Sequence, residues 1–259
     1  VVAQSRALAA SGAQRGVLFT NSFGSALAMR LAGIAAVGYG HEGRSILLAR
    51  RVPRAGGHEV ESFWRLALAT SGDDAAWDFG VGLPARRWPR PPRRLGLQLT
   101  DLHRATASAA LASAGVGPGY VVLCPLAVGT IGGRSKAWPG FPLIARELQA
   151  AGRRVVACPG PGEEAATAAA VPGAMLLPAL GLGAYAAVLA GAAAVLANDS
   201  GPMHLAAAVD APVIGVFGLG EPRRTRPWGP RASIVGGTSG WPEPSLVRDL
   251  LAARLERAS

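Results

Sequence analysis

A strand–helix–strand pattern runs from Ala193 to Phe217, with the sequence AAVLANDSGPMHLAAAVDAPVIGVF. Its two apolar runs, Ala193–Ala197 and Pro212–Phe217, have the length and composition of strands that are buried on both faces. The segment Met203–Val209 lies between them and has the character of a helix, and a helical crossover is the usual connection between parallel strands. The stretch therefore predicts one βαβ unit of a parallel sheet.

The alternation of strands and helices continues outside this unit. Apolar runs predict strands at Tyr120–Cys124 and Arg154–Ala157, and two more near the start of the chain at Gly16–Thr20 and Ala35–Tyr39. Such alternation is typical of an α/β fold with doubly wound parallel sheets. The predicted organisation is two Rossmann-like domains, of which the first is incomplete: residues 1–105 and residues 106–259.

The composition is that of a globular and strongly basic chain. Apolar residues make up 50% of the 259 residues, charged residues make up 16%, and the formal net charge is +10. No helix-turn-helix, zinc-ligand or aromatic-platform pattern accompanies this charge, so we predict no nucleic-acid partner. An anionic small molecule or an anionic membrane surface suits the charge better. Cys124 and Cys158 each close an apolar run, which favours free thiols in a reducing cytoplasm.

The first candidate site is the segment NDSGPMHLAA, Asn198–Ala207, which directly follows a predicted buried strand. In an open parallel sheet, ligands bind at the carboxyl ends of the strands. The free amides at the start of the following helix favour an anion, and Gly201 allows the backbone to approach it closely. An isolated Asp or Ser here would more often be a helix cap. Because Asp199, Ser200, Gly201 and His204 lie so close together, we predict a binding site.

The second candidate site is the loop PLAVGTIGGRSKAW, Pro125–Trp138, which also follows a strand. It contains three glycines, several side-chain donors and Lys136, the only lysine in a chain whose other basic residues are arginines. Backbone amides, hydroxyls and one ammonium group can hold a diphosphate. The glycine and lysine order of a P-loop is absent. The alternative is an ordinary flexible connection between a strand and a helix.

A third pattern supports a different function. GLGAYA, Gly181–Ala186, matches the G-x-G-x-x-A dinucleotide fingerprint, follows a predicted strand and has Asp199 eighteen residues beyond Gly181. The alternative function is therefore an NAD-dependent oxidoreductase. This interpretation leaves the loop around Lys136 without a role. The sequence shows no metal-ligand spacing.

Three stretches together resemble the ADP-heptose:lipopolysaccharide heptosyltransferase family, glycosyltransferase family 9. NDSGPMHLAAA, followed by VIGVFG and EPRRTRPWGP, is similar to the end of that family's donor domain. TNSFGSALAMRLAGI, Thr20–Ile34, resembles a PNSFxSAL stretch in the first domain. The third stretch consists of two segments, LCP at residues 123–125 and SKAWPGFPLIARELQAAGRRVV at residues 135–156. It resembles the segment around the donor-phosphate lysine.

The resemblance implies a GT-B fold and an inverting transfer of a sugar of the heptose type from an ADP-sugar to a lipopolysaccharide core acceptor. It implies no metal, no cofactor beyond the donor, and a cytoplasmic protein in contact with the inner membrane through its lipid-linked acceptor. Carried over by motif, Thr130 and Lys136 would hold the diphosphate, and Glu163 would hold the ribose. The donor sugar and phosphates would be bound by Asp199, Ser200, Gly201 and His204. Met203 would pack against the base.

The sequence departs from the family pattern in two places. The loop reads PLAVGTIGG and is longer than expected, which affects the identity of the sugar. The family's first strand and Gly-Asp loop, which carry the expected base for the acceptor hydroxyl, have no counterpart before Val1. We therefore assign no catalytic base and expect a truncated enzyme. A catalytically inactive protein that binds nucleotide sugars is the alternative from another functional class.

Overall fold

The structure is a computed structural model, and it describes residues 1–41, 43–54, 56–70 and 90–257. The chain divides into two compact units, Val1–Pro92 and Arg93–Ser259. The sequence placed the boundary later, at residues 105 and 106. The observed division comes earlier because the helix Asp101–Ser113 packs against the helix Leu182–Ala190 of the second unit.

The first unit contains a three-stranded parallel sheet in the order β1–β2–β3. The sequence did not predict β3, because its residues Arg50–Val52 include two arginines and give little apolar signal.

A buried arginine also lies in this unit. Arg44 is fully buried and donates to the carbonyl oxygens of Tyr39 at 2.8 Å and Thr20 at 2.6 Å. The elements are α1 (Val2–Ala10), β1 (Arg15–Leu18), α2 (Phe23–Leu31), β2 (Ala35–Tyr39), a short 3-10 helix (Arg44–Leu47), β3 (Arg50–Val52) and α3 (Glu59–Leu68).

The second unit contains a six-stranded parallel sheet in the order β11–β10–β9–β4–β7–β8, together with a small antiparallel hairpin of β5 and β6. Its strands are β4 (Val121–Cys124), β5 (Thr130–Ile131), β6 (Arg134–Ser135), β7 (Val155–Ala157), β8 (Met175–Leu176), β9 (Ala194–Asn198), β10 (Val213–Phe217) and β11 (Ser233–Gly236). Its helices are α4 (Asp101–Ser113), α5 (Phe141–Ala150), α6 (Glu164–Ala170), α7 (Leu182–Ala190), α8 (Gly201–Ala208), α9 (Pro222–Thr225) and α10 (Pro244–Glu256).

Helices cover both faces of this six-stranded sheet. Successive residues of a strand point to opposite faces, so Val122 and Cys124 of β4 join a core cluster with α4, α7 and α8, whereas Val121 and Leu123 join a second cluster with α5 and α10. Burial on both faces explains why these strands are continuous apolar runs. The doubly wound α/β arrangement predicted for this part of the chain is therefore present.

The strand order decides which loops meet. β9, β4 and β7 are adjacent and parallel, so their carboxyl ends lie at one edge of the sheet. The loop Pro125–Trp138, the turn before α6 and the start of α8 all leave from that edge. Among the residues that the structure describes, no helix is long and apolar enough to cross a membrane.

Candidate nucleotide-binding site

A cavity of about 360 Å³ lies at this edge of the sheet in the second unit. Segments that follow β4, β7 and β9 form its wall, with further residues from α6 and α7. The wall contains five of the residues predicted from the sequence: Lys136, Glu163, Asp199, Ser200 and Gly201. Two separately predicted loops thus contribute to one cavity.

Lys136 and Asp199 form an ion pair in the cavity wall. The distance from Lys136 Nζ to Asp199 Oδ2 is 3.8 Å, and the two side chains are 25% and 13% exposed. Thr225 Oγ1 donates to the same carboxylate oxygen over 3.4 Å. A Cβ atom at Gly220 would lie only 2.4 Å from Asp199 Oδ2, so a larger residue there would displace this carboxylate. The Lys136 ammonium group stays partly accessible and can bind an anionic ligand as a second partner.

The start of α8 supplies a second group suited to an anion. Ser200 is the N-cap residue, but its side chain caps no amide of the helix and instead donates to the carbonyl oxygen of Asn198 at 3.2 Å. Pro202 has no N–H group, and the Met203 amide donates to the Ser200 carbonyl oxygen at 3.1 Å. The Gly201 amide is therefore the group at this helix start that can donate to a ligand in the cavity. The partial positive charge of a helix start favours a phosphate or carboxylate at this position.

Asn198 forms hydrogen bonds to both ends of the loop that contains Lys136. It is fully buried at the end of β9, donates from Nδ2 to the carbonyl oxygen of Pro125 at 2.6 Å, and accepts at Oδ1 from the amide of Trp138 at 2.9 Å. Those two residues are the first and last of the loop. Asn198 belongs to a predicted site motif, but the sequence predicts no role for it, because its only signal is a polar side chain at the end of a buried strand.

The two thiols and the phenol in the wall next to β4 and β7 are neutral groups. Cys124 Sγ lies 3.2 Å from the phenolic oxygen of Tyr185, and both cysteines are free thiols. Burial raises the pKa of Cys124 to about 11 and that of Cys158 to about 12, so both thiols are protonated at neutral pH. Burial also raises the pKa of Tyr185, so its hydroxyl stays protonated.

Glu163 lies at the N-cap of α6, where its Oε2 atom accepts from the amide of Gly160 at 3.0 Å. One helical turn later, Thr167 is 2% exposed, and its Oγ1 atom is buried without a hydrogen-bond partner among the described residues. Both residues belong to the cavity wall. This side of the cavity therefore combines a carboxylate with neutral hydroxyl and thiol groups.

Comparison with known proteins assigns the chain to a family. Residues 1–252 match glycosyltransferase family 9 (heptosyltransferase). The chain belongs to this family. An alignment over 192 residues is 29% identical to lipopolysaccharide heptosyltransferase 3 of Escherichia coli and covers 68% of this chain and 49% of that protein. A further 62-residue alignment, which covers 24% of this chain and 18% of the relative, is 47% identical to lipopolysaccharide heptosyltransferase 1 of Pseudomonas aeruginosa.

The family 9 chain thus spans about half the length of the first of these relatives. Among solved structures, the ADP-heptose lipopolysaccharide heptosyltransferase II of E. coli has a TM-score of 0.72 at 24% identity, covering 98% of this chain and 80% of that chain. The E. coli heptosyltransferase WaaC with ADP has a TM-score of 0.65 at 22% identity, covering 98% and 78%. These likenesses confirm the predicted GT-B-type α/β fold class.

Three residues that the family resemblance placed around the donor do not line the cavity. Thr130 is exposed on the hairpin of β5 and β6, and His204 is exposed on α8. Met203 is fully buried in the core, where its Sδ atom would lie 2.5 Å from a Cβ atom at Gly215. Its side chain faces β10, and the expected contact of Met203 with the base of the donor stays a prediction.

The family match gives no support to the NAD-dependent oxidoreductase alternative. Within GLGAYA, a Cβ atom at Gly183 would lie 2.4 Å from the His103 ring, so this glycine allows α4 to pack closely on α7. Helix packing therefore accounts for the second glycine of the fingerprint. Among the described residues, no cluster of three or more His, Cys, Asp or Glu side chains could hold a metal ion.

Proposed function

We propose that this chain binds an ADP-sugar in the cavity of its second unit and acts in an inverting, metal-independent transfer of heptose to a lipopolysaccharide core acceptor. The observation that carries the proposal is the convergence of Lys136, Asp199 and the start of α8 on one cavity. Ammonium and backbone amide groups of this kind bind a diphosphate. The family and a solved relative with ADP support the choice of nucleotide.

The chemical role of these groups follows from the charge that develops during transfer. When the bond between the sugar and the diphosphate breaks, negative charge accumulates on the departing ADP. Lys136 and the Gly201 amide at the start of α8 stabilise that charge if the diphosphate lies against them. Glu163 accepts hydrogen bonds from the ribose hydroxyls. No additional cofactor is required by this scheme, and we assign the catalytic base to none of the residues of this chain.

The acceptor and the location belong to the same proposal. A lipopolysaccharide core acceptor is attached to lipid, which would bring the enzyme to the cytoplasmic face of the inner membrane. The formal net charge of +10 favours contact with an anionic membrane surface.

Calorimetric titration with ADP-heptose, ADP and NAD tests the donor site. We expect ADP and ADP-heptose to bind, and the Lys136→Ala substitution to weaken both by about tenfold or more, since loss of a charge-assisted contact costs about 1.5–3 kcal/mol. Arg134→Ala is the matched control, because Arg134 is a cation of the same loop that does not line the cavity. Its effect should stay below about twofold.

Three results would decide against the proposal. Binding of NAD without binding of ADP-heptose would restore the oxidoreductase alternative. Equal effects of Lys136→Ala and Arg134→Ala would show that the loop acts only through its overall charge. Donor binding without transfer to a lipopolysaccharide acceptor would identify the chain as a nucleotide-sugar-binding protein and would contradict the proposed transfer.

A further inference from the structure

Tyr185 is a part of the cavity wall to which the proposed function gives no role. It lies in α7, is half-buried, and places its phenolic oxygen 3.2 Å from Cys124 Sγ. A thiol is a weak hydrogen-bond donor and a weak acceptor. The phenol therefore has a poor partner in the unliganded protein, and an oxygen atom of a ligand would form a stronger bond.

The phenol can act only as a neutral group. Burial is the main cause of its raised pKa, and the nearby Cys124, Cys158 and Glu163 raise that pKa further. The hydroxyl therefore keeps its proton and remains available as a donor. Glu163 lines the same cavity as the phenol.

Glu163 can accept a hydrogen bond from a ligand. Its Oε2 atom accepts from the Gly160 amide, whereas its Oε1 atom has no hydrogen-bond partner in the part of the chain that the structure describes. An ionised carboxylate only accepts hydrogen bonds, and a protonated phenol beside it donates one. A hydroxyl group both donates and accepts, so an alcohol or a vicinal diol is the ligand group that satisfies both side chains.

We propose that Tyr185 is a ligand-binding residue that, together with Glu163, binds sugar hydroxyls of the nucleotide-sugar donor. The phenol donates to a hydroxyl oxygen, and the Oε1 atom of Glu163 accepts a hydrogen bond from that hydroxyl or from its neighbour. The inference rests on the proposed function for the identity of the ligand. Two parts of such a donor carry vicinal hydroxyls, the ribose and the transferred sugar.

The test is the binding of ADP and ADP-heptose to the Tyr185→Phe variant, which removes one oxygen atom and keeps the ring. We expect an affinity about 3- to 10-fold weaker, the size of one net hydrogen bond. An equal loss for both ligands places the bond on the ribose, and the loss should then disappear with an ADP analogue that lacks the bonded ribose hydroxyl. A loss confined to ADP-heptose places it on the transferred sugar.

Tyr120→Phe is the matched control, since it removes a phenol oxygen that donates to the Val188 carbonyl oxygen at 2.7 Å and does not line the cavity. It should leave both affinities unchanged, and the melting temperature of Tyr185→Phe should match that of the wild type. Unchanged affinity of Tyr185→Phe for both ligands would overturn the inference. An equal loss in Tyr120→Phe would do so as well, because the effect would then arise from the loss of any buried phenol oxygen in this unit.

The outcome also separates this inference from the proposed function. If the wild type binds ADP and Lys136→Ala weakens that binding, the proposed donor site stands whatever Tyr185→Phe does. If the wild type binds neither ADP nor ADP-heptose, the proposed function itself fails.

Discussion

At the scale of single residues, Asn198 connects the two loops of the site. Its amide is fully buried and satisfies two backbone groups that lie at opposite ends of the loop Pro125–Trp138. Asp199, the next residue, faces Lys136 of that loop. Asn198 is thus a positioning residue: it holds the loop ends beside the strand that supplies the carboxylate.

Replacing Asn198 by Ala should destabilise the protein. The substitution leaves the Pro125 carbonyl and the Trp138 amide buried without this partner, and each such group costs about 1–3 kcal/mol. We expect the free energy of unfolding to fall by at least about 2 kcal/mol in urea denaturation. Gln98→Ala is the control, because that amide bonds the Gly96 carbonyl at an exposed position and its loss should cost less than about 0.5 kcal/mol. An unchanged urea midpoint for Asn198→Ala would contradict the positioning role of Asn198.

At the scale of elements, the loop Pro125–Trp138 has two different parts. Its middle forms the exposed hairpin of β5 and β6, which carries Thr130, whereas Lys136 lies beyond the hairpin in the cavity wall. The glycines of the hairpin explain its tight turn: Gly132 and Gly133 have φ values of 57° and 76°, in the left-handed region. A hairpin held by so few strand pairs is easily displaced.

The Thr130→Ala substitution should therefore have a small effect on nucleotide binding. Thr130 is exposed and does not line the cavity, so we expect the affinity for ADP to change by less than about twofold, against tenfold or more for Lys136→Ala. Calorimetry on both variants checks the difference. A loss for Thr130→Ala as large as that for Lys136→Ala would mean that the hairpin closes onto the diphosphate when the ligand binds.

At the scale of the whole molecule, the cavity belongs to one unit. Every residue in its wall falls within Arg93–Ser259, and so do the two core clusters that cover the faces of the six-stranded sheet. A fragment comprising residues 93–259 should therefore fold and bind ADP within about threefold of the affinity of the whole chain. Circular dichroism and calorimetry check this. A folded fragment that does not bind ADP would show that the first unit contributes to the nucleotide site.

The stability of the folded chain should fall in mild alkali because of its two cysteines. Their pKa values are raised to about 11 and about 12 in the folded state, against about 8.5 for an exposed thiol. The unfolded chain therefore loses these protons first. The stabilising contribution is complete below about pH 8.5 and is lost as the pH rises towards 11.

We expect the free energy of unfolding to be lower at pH 10 than at pH 8.5, by about 1–2 kcal/mol for each thiol. Urea denaturation at the two pH values measures this loss. The Cys124→Ala, Cys158→Ala double variant is the control, because it lacks the linked ionisation and should show a correspondingly smaller decrease. The same decrease in the double variant and the wild type would assign it to other groups.

The sequence predicted the regular elements well where their signal is local. The strand predicted at Tyr120–Cys124 is β4, Val121–Cys124, in the structure. The strand predicted at Ala35–Tyr39 has those bounds in the structure. The edge strand β11 was missed because its residues Ser233–Gly236 are only half-buried and give no clear apolar run.

The sequence by itself determined the α/β class and the two loops that carry the candidate site, because apolar periodicity and strand-to-helix turns are properties of neighbouring residues. Only the tertiary structure decided that β9, β4 and β7 lie side by side, which brings Lys136, Glu163 and Asp199 to one cavity. Likewise, it placed Met203 in the core and Tyr185 in the cavity wall. Strand order and helix packing depend on contacts between residues far apart in the chain, and local sequence patterns do not contain those contacts.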